Sequence, residues 1–161
     1  MTIAYRLLLR FFPALDYSSH CGRTWGGFFR FDIHDETDAA LYLRRFVLWR
    51  TPYGSVYLHR IVRSDRDRCL HDHPWNSLLI TLWGGYREVL ENGDAFRRPG
   101  CVRFMPAKTR HRVLLWHRVS DGGEVPAWTL CCVGRKVRSW GFWRRGEFIP
   151  WREFLAGDRE C

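Results

Sequence analysis

Cys69-Leu70-His71-Asp72-His73-Pro74-Trp75-Asn76-Ser77 sets two histidines two residues apart. The apolar run Leu78-Leu79-Ile80-Thr81-Leu82-Trp83 follows, closed by the turn signal Gly84-Gly85. Residues two apart on a β-strand point to the same face. His71 and His73 are therefore expected to project side by side into one cavity, as the first two ligands of a transition metal would. Asp72 between them is expected to point the other way. A His-x-His pair is also found as a structural pair in protein cores, so the weight falls on what surrounds it. Further along, Gly100-Cys101-Val102-Arg103-Phe104-Met105-Pro106 reads as a short strand between a glycine and a proline. Ala107-Lys108-Thr109-Arg110 then turns into a second strand that opens on His111.

These two blocks resemble the paired motifs of the cupin superfamily. Motif one runs Gly, five residues, His-x-His, three or four residues, Glu, six residues, Gly. Motif two runs Gly, five residues, Pro-x-Gly, two residues, His, three residues, Asn. His71, His73, Gly84, Gly100, Pro106 and His111 fall on the pattern at matching spacing, and the match spans about the middle half of the chain. Four positions depart from it: Asp65 stands for the first Gly, Ser77 for the Glu, Lys108 for the second Gly of motif two and Leu115 for its Asn. Without the Glu, the ligand set implied by the resemblance is His71, His73 and His111. That set is similar to the three-histidine iron site of the thiol dioxygenase branch. Other cupins have lost their metal, so a metal-free reading stays open.

Many short strands separated by Gly, Pro and Asp turns predict an all-β sandwich or barrel. The resemblance makes it a double-stranded β-helix, the cupin jelly roll. The 161 residues are expected to form one domain, with residues 1–40 as an N-terminal extension, 41–143 as the β-barrel core and 144–161 as a C-terminal segment. Expected strands include 28–33, 41–50, 55–63, 86–89 and 128–134. Helices are expected over 2–12 and from Trp151. The cluster His34-Asp35-Glu36-Thr37-Asp38 reads as a solvated acidic turn.

Neutral imidazole suits Fe, Zn, Ni and Cu, so three histidines do not choose the metal; the resemblance favours Fe(II), with Zn, Ni or Mn as alternatives. A set without carboxylate leaves the ion its full charge and open positions, which favours a small anionic, metal-chelating substrate. Ser77 is a candidate to hold a metal-bound water. Arg60 is a candidate clamp for a substrate carboxylate, because the guanidinium fork matches that group. Both faces of its strand carry apolar residues, so His59, a fourth imidazole or a structural histidine, competes with Arg60 for the inward face. The function implied is a metal-dependent oxygenase. A non-catalytic ligand-binding cupin and a metal-independent sugar-nucleotide isomerase or epimerase remain as alternatives.

The net charge of +9 is carried almost wholly by arginine. No Lys/Arg-dense run of five or more marks a nucleic-acid patch, so nucleic acid stays open but unindicated as a partner, as does a homodimer. No apolar run is long enough to span a membrane. Arg6 and Arg10 break the N-terminal apolar stretch, which argues against a signal peptide. Six cysteines, none in Cys-x-x-Cys spacing, read as reduced thiols of a cytoplasmic protein. Cys69 shares the parity of the two histidines, and reads either as a small buried residue or as a further occupant of the cavity. Nine tryptophans exceed what a core of this size needs; most are expected at core, barrel-mouth or interface positions.

Overall fold

The computed structural model describes residues 29–34, 39–66, 69–157 and 161. The expected helix over 2–12 and most of the acidic turn after His34 lie outside these residues. The described residues form twelve strands and one helix. The strands are β1 (Phe29–His34), β2 (Leu41–Thr51), β3 (Gly54–Ile61), β4 (Leu70–His71), β5 (Ser77–Trp83), β6 (Tyr86–Leu90), β7 (Gly93–Arg97), β8 (Val102–Met105), β9 (His111–Leu115), β10 (Ala127–Gly134), β11 (Gly141–Arg144) and β12 (Glu147–Pro150); the helix is α1 (Trp151–Ala156). Two six-stranded antiparallel sheets run in the orders β1-β2-β3-β10-β5-β8 and β12-β11-β4-β9-β6-β7. This is the expected all-β jelly roll. β1, inside the expected extension, joins the first sheet along the full length of its pairing with β2.

Alternation along the strands sorts the side chains. In the first sheet, Tyr57 and His59 of β3, Thr129, Cys131 and Val133 of β10, and Ser77 and Thr81 of β5 are buried, while their sequence neighbours are more exposed. Val47, Tyr57, Cys131 and Val133 pack with Phe31, Trp75 and Leu79. Tyr86, Val113 and Leu115 of the second sheet pack with Ala127 and Ile61 of the first, closing the barrel. The expected strand 86–89 is β6; its hairpin partner β7 was not among the expected strands. Leu90 pairs with Gly93, so Glu91-Asn92 is the two-residue corner, and Gly93, which opens β7, takes φ +116°. At the motif glycine after β5, Gly84 takes φ +73°, and a Cβ there would stand 2.4 Å from the Pro126 carbonyl oxygen, so only glycine fits.

The C-terminal segment is fastened to the histidine strand. β11 pairs with β4, Phe142 opposite His71. Phe142 and Phe154 of α1 pack on Cys69. Asp72, fully buried, points away from the histidines as expected. Its carboxylate accepts from the Gly141 amide (3.0 Å), the Trp143 indole (3.0 Å) and the Arg138 guanidinium.

One expectation is corrected here: Cys69 and Cys161 form a disulfide, with Cα atoms 5.4 Å apart. Their separation of 92 residues carries no spacing signal, and only the docking of the C-terminus beside β4 brings them together. The cytoplasmic assignment, which leaned on reduced thiols, loses that support. Cys101, Cys131 and Cys132 are free thiols; Cys131 is buried, and Cys132 faces the other way. No helix among the described residues is long and apolar enough to cross a membrane. A cross-link over so long a span constrains the unfolded chain, so reduction by a dithiol, or Cys161→Ser, should lower unfolding free energy by about 2–4 kcal/mol. Urea denaturation with and without reductant measures this; equal midpoints would show that the link adds nothing to stability.

Candidate metal centre

His71, His73 and His111 meet inside the barrel, and one ring nitrogen from each lies within 4.8 Å of the others. The ladder partly explains this. His71 on β4 is paired directly with His111 on β9, and their rings sit 4.7 Å apart between centroids. β4, however, is only two residues long. His73 lies beyond it, because Pro74 has no N–H to continue a ladder. Its own amide donates instead to the Ala107 carbonyl at 3.2 Å, in the loop that leads to His111. Asn76 Oδ1 accepts the Ala107 amide at 2.8 Å, so the two motif segments are sewn together by hydrogen bonds. The His73 ring stands edge-on to His71 at 5.1 Å and 5.0 Å from His111.

The nitrogens have definite roles. His111 Nδ1 donates to Glu88 Oε1 at 2.6 Å, leaving its Nε2 as a lone-pair donor. That Nε2 faces His73 Nε2 at 2.7 Å. Two imidazole nitrogens bound at about 2.1 Å to one ion and at right angles to each other stand about 3 Å apart. The observed spacing is close to that, so the donor set fits a single divalent ion. His71 Nδ1 lies 3.8 Å from Asp65 Oδ2, too far for a hydrogen bond but close enough to feel its charge. Asp65 is itself fixed by the Val113 amide (2.6 Å) and the Tyr42 hydroxyl.

Glu88 is the functional residue that sequence reasoning missed. Its side chain is 1% exposed and receives Arg97 Nε at 2.7 Å, the Arg103 guanidinium and the His111 ring. A carboxylate behind a ligating histidine fixes the ring's orientation and tautomer. Its signal in the sequence was its parity with Tyr86, an inward residue of the same strand, but motif one directs attention to position 77.

Ser77 is buried at 2% exposure, as an inward residue of β5. Its Oγ makes no hydrogen bond, and neither does Thr129 Oγ1 on the adjacent strand β10. Arg60 is corrected. β3 turns Tyr57 and His59 inward, so Arg60 falls on the outer face, beside Trp128, Trp83, Leu82 and Leu58. The guanidinium that turns inward beside His59 is that of Arg45, its cross-strand partner. Arg45 Nε donates to His59 Nε2 at 3.0 Å, and its guanidinium lies 4.8 Å over the Tyr57 ring.

Burial holds His59, His73 and His111 well below the ordinary imidazole range. Neighbours deepen the effect: His111, His71 and Arg45 for His73, Arg45 and His73 for His59, and His71 for His111. Neutral imidazole is the ligand form. The same burial pushes the Cys131 thiol up to about 11, so it supplies no thiolate. For a base whose folded pKa is depressed, the unfolded chain takes up the proton first. Stability is then full above the unfolded value near 6.5 and falls as pH drops through it towards the folded values. Each such histidine contributes a slope of up to about 1.4 kcal/mol per pH unit. Metal-free protein should therefore lose about 2–4 kcal/mol between pH 7.5 and 5.5, read from urea midpoints. A flat profile would mean the rings are hydrated.

No protein-family model matches the chain, and no curated protein matches it. Solved structures do. A cupin-2 domain protein of Rhodospirillum rubrum superposes with TM-score 0.57 at 12% identity, covering 84% of each chain. A cupin 2 conserved barrel domain protein of Rhodopseudomonas palustris gives 0.54 at 16%, covering 79% of this chain and 88% of the other. The structure described as FeII HppE gives 0.51 at 16%, covering 73% of this chain and 62% of that one. At such identities the likeness is one of fold, and what it establishes, together with the histidine cluster at the barrel's centre, is that this chain folds as a cupin.

Proposed function

We propose that this cupin is metal-dependent, with one divalent ion, Fe(II) before Zn, Ni or Mn, held by His71, His73 and His111, and that it acts as an oxygenase on a small anionic, chelating substrate. The observation that carries the proposal is the convergence of three imidazoles, one buried and two half-buried, two of them presenting Nε2 atoms 2.7 Å apart. No carboxylate belongs to the set. Glu88 stands behind the His111 ring and orients it by a hydrogen bond, and Asp65 lies 3.8 Å from His71 Nδ1. The neighbour described as FeII HppE shows the same fold in a protein named with that ion.

Bound there, ferrous iron would supply open coordination positions and redox chemistry with dioxygen. The chain's own residues do the rest. Arg45, inside the barrel and near enough to lower the His73 pKa, supplies positive charge for an anionic substrate. His59, kept neutral and hydrogen-bonded to Arg45, holds that guanidinium in place. The unpartnered Ser77 and Thr129 hydroxyls offer hydrogen bonds to polar atoms of a ligand or water. Burial of the whole cluster excludes bulk water and strengthens each of these interactions.

One observation favours a second reading, a metal-independent isomerase or epimerase. The His111–Glu88 pair is also the arrangement of a general base oriented by a carboxylate. Thermal shifts of metal-loaded and metal-free protein against small thiols, carboxylates, nucleotides and sugars separate the two. Anionic chelators should stabilise only the loaded form, and Arg45→Gln should weaken that response about tenfold in apparent affinity without changing metal content. Stabilisation by sugars or nucleotides regardless of metal would favour the isomerase instead.

A further inference from the structure

The outer face of the first sheet is apolar. Leu78 and Leu82 of β5 are 40% and 48% exposed, Trp83 is 58%, and Val102 and Phe104 of β8 are 63% and 64%. The register places them together: Val102 is paired with Ile80, and Phe104 with Leu78. Scattered exposed apolar residues are ordinary, but these lie on adjacent strands of one face. Those five side chains alone expose roughly 600 Å², at the upper limit for the largest patch on an ordinary monomer and near the ~800 Å² that each partner contributes to a standard interface. Leu58, Ile80, Leu130 and Trp128, partly buried, continue the patch across β3 and β10.

We propose that this face is the interface of a homodimer, and that its occupant is a second copy of the same face. Three features point to a second copy. The first is the area, which is that of one half of a stable interface. The second is shape. At one end Leu58, Arg60, Leu82, Trp83 and Trp128 line a shallow hollow of about 520 Å³. At the other, Val102 and Phe104 rise on the edge strand β8. A two-fold axis through the middle of the face, near Ile80, sets the ridge of each copy in the hollow of the other, which is the self-complementarity an isologous contact requires. The third is charge. In a chain of net charge +9, the outward-facing residues of β5, β8 and β10 carry no charged side chain. Like-charged copies could meet there, and among the residues lining the hollow an acidic partner would find Arg60 alone to pair with. The inference is independent of any metal, since these residues lie on the opposite side of the sheet from the histidines.

The test is sedimentation equilibrium of the full chain from 5 to 100 µM. Wild type should sediment as a dimer, more tightly at higher salt, where the repulsion of net charge is screened. The double variant Phe104→Glu, Leu82→Glu should weaken association at least a hundredfold and sediment as a monomer. Val119→Glu, at an exposed apolar residue outside the face, should leave the dimer intact. Should the double variant fail to melt cooperatively, oxidative footprinting of wild type decides: labelling of Phe104 should fall as concentration rises. A monomeric wild type, as expected if other residues of the same chain cover the face, overturns the proposal. So does a double variant that stays dimeric, or Phe104 labelling that ignores concentration.

Discussion

Alanine at His111 should leave the protein unable to retain a divalent metal through gel filtration, while wild type retains about one ion per chain. His111 contributes one of the three nitrogens, and it is the one whose tautomer is fixed, by Nδ1 donation to Glu88. His71→Ala or His73→Ala should have the same outcome, because two imidazoles bind a first-row metal far more weakly than three. Elemental analysis after reconstitution with Fe, Zn, Ni or Mn reads the result directly. Wild type carrying no metal, with its fold intact, would sink the metal-dependent reading and leave the isomerase or a plain binding protein. The fold itself should survive these substitutions. Burial and the neighbouring rings hold the His73 and His111 pKa values down, and removing a neighbour relieves part of that effect.

Glu88→Ala should do the reverse and damage the fold as well as the site. The carboxylate is 1% exposed and receives two arginines, one from β7 and one from β8, so it ties the second sheet to the first. Removing it leaves Arg97 and Arg103, at 20% and 14% exposure, without their anion inside the barrel. Truncating one partner of a buried ion pair costs about 3–5 kcal/mol. The loss of His111's hydrogen bond should weaken metal binding a further 10–100-fold. Glu88→Gln separates the two effects. It keeps an oxygen for His111 Nδ1 but not the charge, so it should recover metal affinity more than stability. Equal loss of both in the two variants would mean that Glu88 acts through packing alone.

The histidine positions were legible because their signal is local. Period-two spacing put His71 and His73 on one side and Asp72 on the other, and a short turn carried the chain from Pro106 to His111. The tryptophans were legible only as a group: Trp75 packs on the core, Trp143 donates to Asp72, and Trp83 is exposed. What stayed hidden depends on pairing between distant strands. Arg60 and His59 have neighbours of mixed polarity on both sides, so the inward face of β3 is decided by β10 and β2 rather than by β3 itself. Arg45 meets His59 only through the β2–β3 register. Glu88 meets Arg103 only when the two sheets close. The disulfide joins residues that nothing in local sequence relates.

The order of strands in the second sheet bears on how the protein is made. β4, which carries His71, is flanked by β9 and β11, and both lie later in the chain. Its disulfide partner, Cys161, also lies later in the chain, 92 residues on from Cys69. During translation the His-x-His segment therefore emerges with neither of its sheet partners. At about 5–20 residues per second, some seconds pass on the ribosome before β11 is available. If the histidines hold a metal, as proposed, no finished cage exists until β9 has emerged and paired with β4, so metal supply early in synthesis should matter less than supply afterwards.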